Sequence, residues 1–247
     1  MTVMLFTDGI ILCPETLREH DNYVLEIAST ESIELSSKLQ VAQRWVGYEL
    51  TSFLLNREAH VGLSHVFVND ELRDLLAVQT LAAVYRDAYY RHLNDRYEGR
   101  AKEFNAIAER SLQRFLQNGV GLVAVAVPRA DQPEVDTAVG GGLTPGVYRV
   151  TIAWQHPLGT VGEFSEAVQV EAVDGGLSIN PPAAPQGVLG WHAFVGLNED
   201  GPTRQNDAPI APAMAWTQAA DLRSDLVGPQ PSAADSYVRS STPRVRR

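Results

Sequence analysis

The sequence predicts an α+β protein of two domains, an N-terminal antiparallel α-helical bundle and a C-terminal antiparallel β-sandwich, with an extended C-terminal tail. Three observations predict it. Before residue 128, apolar residues recur three and four apart, the spacing that places them on one helix face. From Gly146 the period switches to two, the alternation of a half-buried strand. A Pro- and Gly-rich stretch lies between these regions, and beyond about residue 220 no period survives. The expected boundaries are 1–127 for the helical domain, 128–145 for a linker, 146–220 for the β domain and 221–247 for an extended arm.

The helical elements follow in order. Asp21 is placed to cap a short helix through Ile27, because its carboxylate can accept the orphan N–H groups of a first turn. A long helix over Ser36–Asn56 carries the apolar stripe Leu35, Leu39, Ala42, Val46, Leu50 and Phe53. A second stripe on it, Val41, Trp45, Tyr48 and Leu55, is read as lying about 100° round the helix. A helix apolar on two faces packs on two sides, so these four residues are the candidate subunit interface. The β-branched run Val61–Val68 reads as an extended connector, and Asn69–Asp70 as the start of the next helix. That helix repeats Leu75, Val78, Ala82, Tyr85, Tyr89 and His92 in 3-4 alternation. A last one carries Tyr97, Ala101, Phe104, Ala108, Ser111 and Phe115 and ends at Gly119, where a positive φ favours glycine.

In the β domain, Tyr148, Val150, Ile152 and Trp154 alternate with polar or small residues. Gly159 and Gly162 mark a turn. Further strands are expected at Val168–Val170, Leu177–Ile179, Trp191–Val195 and Met214–Trp216. Three of the four tryptophans fall here and are expected to fill its core.

The chemistry the chain lacks narrows its function. There is no phosphate-binding glycine loop, since Gly140-Gly141-Gly142 leads into a strand and not a helix. No nucleophile elbow is present. His60 and His65 are five apart, which suits neither one helix face nor a zinc pair. A single cysteine, Cys13, excludes a disulfide framework and reads as a buried or half-buried inert thiol. No spacing of the acids singles out an acid–base pair, so no enzyme, cofactor or metal is expected. No secretory signal and no membrane-length apolar run is recognised, so a soluble protein made in the cytoplasm is expected. The net charge of −10 argues against tight nucleic-acid binding by the whole surface.

The tail reverses that charge. Tyr237, Arg239, Arg244, Arg246 and Arg247 follow its last acid, Asp235. Alone the tail is expected to be disordered. It reads either as a solubilising end or as an arm that orders on a partner's acidic or polar groove, since guanidinium forks bind carboxylates.

Two stretches carry a resemblance. The first runs LEIASTESIELSSKLQVAQRWVGYELTSFLL (Leu25–Leu55) and continues in LAAVYRDAYYRHLNDRYEGRAKEF (Leu81–Phe104). It resembles the helical region of head-tail adaptor (connector, head-completion) proteins of tailed phages, prophages and gene-transfer-agent-like particles. The second, YRVTIAWQHPLGTVGEFSEAVQV with PPAAPQGVLGWHAFVG, is similar to the fibronectin-III/Ig-like module attached to some of them. The resemblance covers about two-thirds of the chain and includes no catalytic signature. It implies a homo-oligomeric ring, usually a dodecamer, bound beneath the portal protein in the neck of the virion. DNA would pass through its lumen without sequence-specific binding. The arm from Tyr237 to Arg247 would match the one that reaches the portal, and the β module would face tail, stopper or fibre proteins. A capsid decoration or tail-fibre adhesion protein, binding a surface ligand through its sandwich, is the alternative; tryptophans exposed at loop tips would favour it.

Overall fold

In chain order the described residues form β1 (Thr2–Val3), α1 (Val24–Thr30), α2 (Leu35–Asn56), α3 (Asp70–His92), α4 (Glu98–Asn118), β2 (Val120–Leu122), β3 (Glu134–Leu143), β4 (Gly146–Gln155), β5 (Val161–Gly162), β6 (Val168–Ala172), β7 (Gly175–Asn180), β8 (Gly190–Leu197), β9 (Thr203–Arg204), β10 (Trp216–Gln218) and β11 (Ser236–Val238). The structure, a computed structural model, describes residues 2–57, 61–92, 95–172, 175–197, 201–218, 221–224 and 234–240. Helices followed by antiparallel sheets make the α+β architecture the sequence predicts. The chain divides into a helical unit, Gly9–Ala124 with Ala234–Arg247, and a β unit, Met1–Asp8 with Val125–Ala233.

The helical unit is built round α3, which is buried almost continuously from Leu75 to Tyr85 and packs against α1, α2 and α4. Asn69 caps it, its Oδ1 accepting the Leu72 N–H at 2.9 Å. α4 buries Ala101, Phe104, Ala108 and Phe115, and the Phe104 ring stacks on Tyr85 with centroids 5.2 Å apart. Gly119 ends it at φ +117°. Two expectations are corrected here. Asp21 does not cap α1. It is buried, and its carboxylate accepts the Tyr23 N–H and the Tyr85 hydroxyl. Cys13 is exposed, because Ile11 and Leu12 fill the interior and the chain then turns at Pro14.

The β unit packs two sheets over one core. The larger has the order β1-β5-β4-β8-β9, with β6 also on β4; the smaller is β10-β7-β3. Period two sorts the side chains. Tyr148, Val150, Ile152 and Trp154 of β4 join Trp191, Ala193 and Val195 of β8 and Leu177 and Ile179 of β7 in that core. The register sets Trp154 opposite Trp191 and Ile152 opposite Ala193. Ala153 and Phe194 point the other way, and Phe164 meets Phe194 edge-on at 4.7 Å.

Three boundaries differ from expectation. Residues 134–143 are not linker but β3, paired with β7 from Glu134↔Asn180 onward. Of the glycines that suggested flexibility, Gly141 serves close approach: a Cβ on it would lie 2.4 Å from the Gly175 carbonyl oxygen, across the bulge between Ala138 and Leu143, while Gly140 beside it holds φ +87°. The first residues belong to the β unit, Thr2 pairing in parallel with Val161. There Asp8 is buried and accepts the Leu5 and Arg129 N–H groups at 2.7 and 3.0 Å. The tail is not without structure. Leu222 packs on the β core, and Ser236–Val238 pairs antiparallel with β2 in the helical unit.

Candidate interaction surface

The α2 sequence puts its two apolar stripes nearly opposite each other, not about 100° apart, once the residues that bury are known. Leu39, Ala42, Val46, Leu50 and Leu54 face the interior. Lys38 holds the helix against α3 through a 2.8 Å ion pair with Asp87, and Gln43 Nε2 donates to the Gly9 carbonyl at 2.7 Å. The other side is then forced outward. Val41 is 45% exposed, Trp45 39%, Tyr48 67% and Leu55 71%. All four candidate interface residues therefore lie in one uncovered row. Fully covering a side chain of this kind recovers about 1.5–3 kcal/mol, so four in a row form a surface suited to a partner. Beside Val41 and Trp45 runs a groove of about 200 Å³, lined by Ala83 and Arg86 of α3 and Ala108 and Glu109 of α4.

A second concavity was not foreseen from the sequence. It is a cleft of about 450 Å³ between α1 and the start of α4, lined by Tyr23, Glu26, Ile27, Arg96, Tyr97 and Arg100. Its floor is rigid. The Tyr85 hydroxyl donates to Asp21, and the Tyr97 hydroxyl donates to Glu31 Oε1 at 2.9 Å. Burial and the neighbouring carboxylate push both phenols above their ordinary range. The Arg96 guanidinium lies 5.6 Å from the Tyr97 ring centroid, within cation–π range. Tyr23 at the mouth is 63% exposed. Its members are about seventy residues apart in sequence, and no local pattern joins them.

The tail residues divide. Tyr237 pairs with Gly121, and Arg239 Nε donates to the Asn118 carbonyl at 2.9 Å, so both are tied to the helical unit. Asp235 adds to this anchor by accepting the Ala124 N–H at 2.8 Å. Arg244, Arg246 and Arg247 lie outside the described residues, and the docking-arm expectation rests on them.

His192 is buried in a network with Gln155 and Asn206, and burial lowers its pKa to about 4, with the Arg204 charge adding to the shift. His65 sits on the turn before α3 with Ser64 Oγ 3.3 Å from its Nδ1; His60 is outside the described residues. Among the described residues no three His, Cys, Asp or Glu side chains gather as metal ligands do, and no helix is long and apolar enough to cross a membrane. Charge is divided unevenly. The β unit holds thirteen acids against four arginines, so nine of the ten net negative charges fall there. No family model matches the chain, and no curated protein is similar to it in sequence.

Proposed function

We propose that the chain is a structural protein of a tailed-virus particle, a head-to-tail adaptor. Its copies close into a ring that joins the portal to the tail, and DNA passes through the lumen. The observation that supports this reading is the uncovered row Val41, Trp45, Tyr48 and Leu55 on a helix whose opposite side is already packed. A ring of identical subunits needs contacts between two different faces of each copy, and such a row supplies one of them. The segment beyond Ser240, with three arginines and no acid, remains the part suited to reach the portal.

The adhesion alternative has less support. Trp154 and Trp191 are fully buried, and Trp216 is half-buried against the same core, so these three do not stand at loop tips.

The purified chain, mixed with a portal protein from the same source, tests the proposal by electron microscopy and co-sedimentation. Ring density on the portal is expected. The variant Tyr48→Asp should fold normally, because Tyr48 is largely exposed, and should fail to assemble. Absence of any ring or co-sedimentation with the native chain refutes the adaptor reading.

A further inference from the structure

The row on α2 needs a complementary surface, and the helical unit carries one on a different face. The α3 residues beside the row are Ala83 and Arg86, whereas the α3 residue at the cleft is Tyr85. On a helix of 3.6 residues per turn, Tyr85 lies a quarter-turn or more from both. A contact from row to cleft is therefore head-to-tail, the kind that propagates from copy to copy and closes into a ring.

We infer that Trp45 and Tyr48 of one copy seat in the cleft between α1 and the start of α4 of the next copy. This rests on the ring reading above and names the surface that receives the row. Three observations carry it. The cleft, at about 450 Å³, is roomy enough for aromatic side chains and is walled by Tyr23, Ile27 and Tyr97. Each aromatic seated there would remove about 150–250 Å² from water. Charge also matches. Arg44 and Glu49 flank the row on opposite sides of α2, one four residues before Tyr48 and the other four after Trp45. At the cleft, Glu26 stands on the α1 wall, while Arg96 and Arg100, the latter 3.2 Å from the Glu103 carboxylate on the solvent side of α4, stand on the other. Arg44 set against Glu26 leaves Glu49, on the other side of the row, to meet the arginines. The receiving face is also open, with Tyr23 63% exposed.

The test uses the full chain under the conditions in which it assembles, with portal if portal is required. Tyr48→Asp removes the row and Tyr23→Asp removes the cleft mouth; both side chains are largely exposed, and circular dichroism checks that the variants fold. Each variant alone should lose assembly. Mixed together they should form a dimer and nothing larger, because one pair of intact faces remains. A photo-crosslinking phenylalanine analogue at position 48 should label residues 23–30 or 96–100 of another copy. If the native chain assembles but Tyr23→Asp assembles as well as it does, or if the label falls on α2 or on any other segment, the inference fails and the ring reading stands. If the native chain never assembles, both fall.

Discussion

Lowering the pH to about 5 should remove about 2 kcal/mol from the stability of the β unit through one side chain, His192. Its ring is buried on β8. Nε2 lies 2.5 Å from Gln155 Oε1, which only accepts, so Nε2 carries the proton. Nδ1 faces Asn206 Nδ2 at 3.0 Å. Asn206 cannot turn round to oblige a second proton, because its Oδ1 accepts the Ala193 N–H at 2.8 Å and its Nδ2 donates to the Ala208 carbonyl at 2.6 Å. Burial, with the Arg204 charge beside it, makes the neutral imidazole the form the fold accepts. Its pKa falls from 6.5 to about 4. A depressed folded-state pKa means that protons favour the unfolded chain. Stability is full above about pH 6.5, declines as the pH drops, and levels below about 4. The shift amounts to about 3 kcal/mol in total, and about two-thirds of it is lost by pH 5. Asp8, whose carboxyl is raised by burial, contributes with the opposite sign in the carboxylate range. The measurement is therefore a difference: urea unfolding, followed by the fluorescence of the buried Trp154 and Trp191, for the native chain and for His192→Gln at several pH values. The native chain should lose stability between about pH 7 and 5, and the variant should lose about 2 kcal/mol less over the same range. Parallel pH profiles would refute the assignment.

Other perturbations probe the helical unit. Gly119→Ala should destabilise it by about 1–3 kcal/mol in thermal unfolding, because the residue holds φ +117° and a Cβ there would sit 2.8 Å from Arg239 Cγ. Tyr85→Phe should cost about 1.5–3 kcal/mol, since it takes a hydroxyl donor from the buried Asp21 carboxylate. In the native chain, spectrophotometric titration in alkali should show Tyr85 ionising after the exposed tyrosines. Truncation after Ala233 should expose the amides of Val120–Leu122 and Ala124 to hydrogen exchange, because β11 and Asp235 pair with them; unchanged protection would refute that pairing.

Much of this was legible where the cause is local. The 3-4 spacing gave α2, α3 and α4 to within a residue or two, Asn69 marked its helix start, and Gly119 its stop. Alternation gave β4 and β8 because both bury every second side chain in one core. The failures have a common physical origin in pairing over long separations. β1 and β11 are two and three residues long, and their partners lie more than a hundred residues away. Gly140-Gly141-Gly142 reads as a flexible joint until the neighbouring backbone at Gly175 is known. Asp21 met the local requirements of a cap, but the Tyr85 hydroxyl offered a buried partner that no window of sequence reveals. The α2 row was visible as an apolar stripe, whereas the Tyr23–Arg100 cleft, assembled from two distant segments, was not.

The trading of end segments between the units has a consequence for synthesis. Residues 1–8 leave the ribosome before the helices do, yet β1 waits for β5, about 160 residues later, before it can pair. The helices are made early, but β2 stays without its β11 neighbour until residues 236–238 have been translated. A nascent chain stopped short of that point leaves the helical unit unfinished, so prematurely terminated products should be good targets for proteolysis.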